Sequence, residues 1–87
     1  MAYWHAETEL GAAQHLDREE CDLIAITTHS DRVSALLECA WETAVELRSQ
    51  PGVLDVAPAQ DGTYVDELTT IEYLIRDNGT RCEPLAH

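Results

Sequence analysis

The sequence predicts an α/β (α+β) domain in which one long amphipathic helix packs on a mostly antiparallel sheet of four to five strands, in the order ββαββ. Three observations lead there. Residues 2–10, "AYWHAETEL", and 69–76, "TTIEYLIR", alternate with the two-residue period of strands. Residues 31–49 carry apolar side chains at the i, i+3, i+4, i+7 spacing of a helix face. Asn78-Gly79 is a strong hairpin signal. A lone amphipathic helix cannot bury its stripe without a sheet to lie on.

In chain order, Trp4, Ala6, Thr8 and Leu10 share one face of the first strand, and Tyr3, His5, Glu7 and Glu9 the other, wet one. Residues 11–22 read as a loop or short helical turn rich in acid. "LIAITT", 23–28, is apolar and β-branched, as in a central strand buried on both faces. Ser30 suits a helix N-cap and Asp31 the first turn. Val33, Leu36, Leu37, Ala40, Trp41, Ala44 and Val45 then form the apolar stripe, which Leu47 flanks. Arg48 sits in the last turn, and Pro51-Gly52 stop the helix. "VLDVA", 53–57, is a short strand closed by Pro58, and "QDGT", 60–63, a turn before a brief extension at Tyr64 and Val65. After the 69–76 strand and the "DNGT" turn, a short edge strand at 81–83 ends at Pro84. The run "LIAITT", helix, "SQPGVLDV" resembles half of a ferredoxin-like domain, where a helix often ends before a "PGV" strand. The resemblance covers under half the chain and implies a fold element only.

The chain of 87 residues makes one small acidic domain, 1–87. Seventeen acids face five arginines and no lysine, for a net charge of -12. Such a charge repels phosphate, which disfavours direct binding to nucleic acid or to an anionic membrane, and favours a basic protein surface as partner. Solubility or salt adaptation also yields acid-rich sequences, the latter with little lysine, and a GC-rich genome favours arginine over lysine. No run approaches the roughly 18 apolar residues of a membrane span, and Met1 is followed by no basic and apolar leader pattern. Cys21, Cys39 and Cys82 are odd in number and lack metal spacing, which reads as reduced thiols in a cytoplasmic protein.

No motif names a reaction. "HSD" at 29–31 holds the residue types of a hydrolytic triad, but three consecutive side chains diverge. His5, His15, His29, His87, Cys21 and Cys82 are too scattered for a zinc site. The sequon Asn78-Gly79-Thr80 is explained by the hairpin, and no phosphate-binding glycine loop is present. No catalytic residue, metal ligand or cofactor is therefore expected.

The unusual feature is acidic. Glu38, Glu42 and Glu46 recur every fourth residue of the expected helix, and with Asp31 they span about 80° of arc facing away from the apolar stripe. Like charges at this spacing repel by a few tenths of a kcal/mol, roughly, and no lysine answers them. Asp17, Glu19, Glu20 and Asp22 make a second cluster beside Arg18, and Asp61, Asp66 and Glu67 a third. These patches predict a non-enzymatic protein whose Asp31, Glu38, Glu42, Glu46, Glu19, Glu20 and Asp22 bind a basic protein surface, such as that of a nucleic-acid-binding complex. Small acidic inhibitors from phages, of the anti-CRISPR and anti-restriction types, mimic nucleic acid in this way; the likeness is of size and charge. The alternative is a ferredoxin-like regulatory or ligand-binding module, for which a homodimer through a sheet edge or face is expected.

Overall fold

The computed structural model describes residues 2–85; Met1, Ala86 and His87, the last a candidate metal ligand from the sequence, lie outside the described residues. Seven strands form two antiparallel sheets. The first sheet has the order β2-β3-β1-β4, from β1 (Ala2–Thr8), β2 (Cys21–Thr28), β3 (Val33–Cys39) and β4 (Val53–Pro58). The second has the order β5-β6-β7, from Gly62–Val65, Glu72–Arg76 and Arg81–Pro84. A 3-10 helix, Leu10–Leu16, joins β1 to β2, and α1, Trp41–Arg48, joins β3 to β4. β1 and β2 flank β3, while β3 and β4 flank β1, so two split strand–helix–strand units interleave.

Three expectations are corrected. The long helix over 31–49 does not form, the strands do not share one sheet, and the order is not ββαββ. The cause is the segment 33–39. Val33, Ala35, Leu37 and Cys39 point to the helical side of the first sheet, and Leu36 points to the second sheet. A strand buried on both faces shows a near-continuous apolar run, which matches the helix pattern by coincidence. Ser30 and Asp31, residues that suit turns as well as caps, lie in the β2–β3 turn, closed by His29 N–H donating to the Arg32 carbonyl at 2.8 Å. The likeness to half a ferredoxin-like domain loses its segmentation, because 23–28 feeds a second strand. That strand lies at a sheet edge, not at its centre.

The short helix ends where the sequence places it. Gly52, at φ +83°, follows α1 and lies against the 3-10 helix, where an added Cβ would stand 2.5 Å from Ala12 Cβ. The turn predicted at 77–80 joins β6 to β7, with Arg76 opposite Arg81.

Two cores result, one on each face of the first sheet. Leu16, Leu37, Ala44, Leu47 and Val56 fill the helical side. Ala25, Leu36, Ala59 and Ile75 fill the space between the sheets, under Tyr3, Tyr64 and Tyr73. Carboxylates tie the second sheet down. Asp66, buried, accepts from Ile26 N–H at 3.2 Å and from Thr69 Oγ1 at 2.8 Å. Glu67 accepts from Thr28 N–H at 3.0 Å and Thr28 Oγ1 at 2.6 Å, and its own N–H donates to the Ile26 carbonyl at 2.9 Å. These bonds occupy the outer edge of β2, which would otherwise present unpaired backbone groups. Asp61 likewise accepts from Asn78 and Gly79 N–H at 3.2 and 2.9 Å.

Asp66→Ala leaves the Ile26 N–H without its acceptor and should lower unfolding stability by about 1–3 kcal/mol in a urea titration. The Thr28 hydroxyl, and then its N–H, hold the Glu67 carboxyl below its ordinary value of 4.5. A depressed carboxyl stabilises the fold above the unfolded-state value, and the contribution disappears as pH falls through the folded-state one. Stability should therefore decline on acidification from 4.5 downward, and Glu67→Gln should make that decline shallower.

Candidate functional site

The predicted acidic residues do not form one stripe. Glu42 and Glu46 lie on α1 one turn apart. Glu38 lies on β3, opposite Asp22 on one side and Tyr3 on the other. It points to the second sheet, away from α1. Burial first, and then the Glu38 carboxylate, push the Tyr3 phenol up. Asp31 sits in the β2–β3 turn, 3.6 Å from Arg32. At about 3.3 Å per strand residue, the length of β3 puts it roughly 20 Å from Glu38. Glu19 and Glu20 are exposed in the turn before β2.

Arg18 brings part of the set together. Its guanidinium reaches Glu46 at 2.9 Å and Glu20 at 3.4 Å, joining the turn before β2 to α1. A cation for the helical glutamates is thus supplied by a distant part of the chain. Glu20, Glu42 and Glu46 remain as one acidic patch with Glu19 beside it. Asp22 and Glu38 form a separate pair, and Asp31 lies at the other end beside Arg32, which Glu7 also approaches. The third cluster is engaged within the fold: buried Asp66 and exposed Asp61 and Glu67 accept the backbone bonds described above.

The sequence reading buried Trp41 and Val45 in the helix stripe, and the structure exposes both. Trp41 is 65% exposed and Val45 48%. With Trp4, Ala44, Arg48, Val56 and Pro58 they line a groove of about 320 Å³ between α1 and β4. Leu54 on β4 is also exposed, and β4 is the edge strand on this side. With a helix beginning at 41 rather than 31, Trp41 becomes the first helical residue, at the domain's rim. Its exposure was legible only once that boundary was known.

A second concavity of about 380 Å³ lies between the first sheet and β5. Ala25 and Leu36 form its floor, and His5, His29, Ser34 and Tyr64 its walls. His29 Nε2 and Ser34 Oγ are 3.1 Å apart, so the serine near this histidine in space is Ser34 and not Ser30. The His5 and Tyr64 rings lie tilted at 46° with their centroids 6.1 Å apart, and the Tyr64 hydroxyl donates to the Gln60 carbonyl at 2.9 Å. Among the described residues no carboxylate lines this cleft, although one residue in five of the chain is acidic. His–Ser proximity is one part of nucleophile activation. Among the described residues no cluster of three metal-ligating side chains occurs, and no helix is long and apolar enough to cross a membrane.

No family model matches the chain, and no curated protein or solved structure is significantly similar to it.

Proposed function

We propose that this chain is a non-enzymatic binding protein that takes a basic protein segment on its α1–β4 face. The observation that carries the reading is Trp41, 65% exposed at the start of α1 and sharing a groove with Val45, with the Glu42 and Glu46 carboxylates on the same helix. Exposed tryptophan is a common interface anchor, and an alanine in its place costs roughly 2 kcal/mol or more when it fills a partner's pocket. Acidic residues around such an anchor favour arginine and lysine on the other side and speed their approach. The outer edge of β4 can supply main-chain hydrogen bonds to an extended segment. The net charge of -12 on each copy opposes self-association through the same face.

A nucleic-acid-binding protein offers such a basic surface, in a cytoplasmic setting. The spacing favours a local contact over imitation of a phosphate backbone. Glu42 and Glu46 rise about 6 Å apart along α1, whereas duplex DNA carries a charge every ~1.7 Å of axis. Asp31 and the Asp22–Glu38 pair are peripheral to this contact.

A second reading, a small-ligand module, rests on the carboxylate-free cleft. Two imidazoles, the Ser34 hydroxyl and an apolar floor suit a small organic molecule with one polar end.

A peptide of alternating arginine and leucine should bind the wild-type chain and shift its tryptophan emission. Trp41→Ala should weaken binding about tenfold or more. Glu42→Lys/Glu46→Lys should weaken it and flatten its salt dependence while the circular dichroism spectrum stays unchanged. Equal binding of a peptide with glutamate in place of arginine would sink the reading. The cleft is tested by adding benzoate, benzamide and benzamidine during amide NMR. The ligand reading expects shifts centred on His5, His29 and Ser34 from at least one of them, and it is lost if none moves those signals.

A further inference from the structure

The two buried thiols of the first sheet stand directly across from each other. Cys21 opens β2, Cys39 closes β3, and the strand register pairs them. Both side chains enter the core beneath the helices. Two hydrogen bonds identify the kind of pair. The Cys21 N–H donates to the Arg18 carbonyl at 3.2 Å, so it is not directed to β3. The Cys39 carbonyl accepts from Trp4 Nε1 at 3.1 Å, so it points toward β1. Cys21 and Cys39 are therefore opposed without exchanging backbone bonds. In such pairs the Cα atoms are about 4.5 Å apart and the side chains approach most closely. Disulfides span Cα separations of about 4.4–6.8 Å. Cys82 lies on β7 and packs into the other core, between the sheets, with the first sheet separating it from this pair.

We propose that Cys21 and Cys39 are a built-in site for a cross-strand disulfide, formed by exchange with a low-molecular-weight disulfide. One cysteine sulfur, deprotonated, attacks the small disulfide and releases one small thiol. The second displaces the other half from the mixed disulfide, forming the intrachain S–S bond. The two protein thiols lose two protons and two electrons in all, and the small disulfide leaves as two thiols. The bond closes the loop that contains β2, its turn and β3. It constrains the unfolded chain without asking the folded strands to move apart.

Access governs the rate. Burial, followed by the facing Cys39, pushes the Cys21 thiol up to about 12, and burial pushes the Cys39 thiol up as well. Thiolate is scarce in the folded chain, so exchange is slow there and proceeds through opening of the β2 edge. This site is independent of the partner and ligand readings above.

The test is to refold the reduced chain in mixtures of reduced and oxidised glutathione, block free thiols with N-ethylmaleimide, and map the peptides. One intrachain bond between Cys21 and Cys39 is expected, with Cys82 blocked, and Cys82→Ser should give the same map. The oxidised chain should melt about ten degrees or more above the reduced one. A bond that includes Cys82, three blocked thiols at the most oxidising ratio, or a bonded chain that melts lower would each overturn the proposal. Cys39→Ser should yield no intrachain bond; if that variant fails to fold, the wild-type peptide map decides alone.

Discussion

Burial of β3 on both faces sets the architecture. Leu37 and Cys39 need a cover on one side and Leu36 on the other. A chain of this length cannot provide two large layers. It places the 3-10 helix and the eight-residue α1 on one face and a three-stranded sheet on the other. Small residues make thin layers sufficient: Ala6, Ala35 and Ala44 bring backbones close on the helical side, and Ala25 and Ala59 do so between the sheets. Each core is therefore modest, and loss of either cover would expose half of β3.

The acidic composition divides by use. Asp66 and Glu67 replace a strand partner, accepting β2 backbone N–H groups where the two sheets meet, and Asp61 accepts those of the β6–β7 turn. Charge-assisted bonds of this kind are stronger than neutral ones. Glu20 and Glu46 share Arg18, Glu7 and Asp31 flank Arg32, and Glu83 and Asp77 pair with Arg81. Those exposed pairs contribute little individually; they neutralise part of the acidic surface, while Glu46, with its side chain 63% exposed, stays within a partner's reach. The net charge of -12 thus overstates the free acidic surface. What is left is local, and its densest part adjoins the exposed tryptophan on α1.

The sequence revealed individual strands better than their arrangement. Strand signals at 2–10, 23–28, 53–57, 69–76 and 81–83 were legible, although Leu10 opens the 3-10 helix and 69–71 precede β6; turn residues bound several of them: Gly52 before β4, Pro58 at its end, Asn78-Gly79 after β6. The helix error came from burial on two faces, which erases the two-residue period from "VSALLEC". That error moved Glu38 onto a helix and Trp41 into a core. Only Glu42 and Glu46 of the expected stripe were correctly placed on a helix, because 41–48 is helical in either reading. The role of Arg18 was not legible, since its partner Glu46 is distant in sequence and meets it only through the fold. The inter-sheet cleft was invisible for the same reason: His5, Ser34 and Tyr64 come from three strands whose pairing no local pattern specifies.

β1 links the two candidate surfaces. Trp4 points to the helical side and lines the α1–β4 groove, while His5, the next residue, points between the sheets and lines the cleft. Consecutive strand residues face opposite ways, so a single central strand forms part of the wall of both. A partner on the groove and a small molecule in the cleft would stand on opposite faces of the first sheet and would not collide. Trp4 also donates to the carbonyl of Cys39, the residue opposite Cys21. The groove wall and the thiol pair thus share one hydrogen bond, which fastens the groove side of β1 to the end of β3.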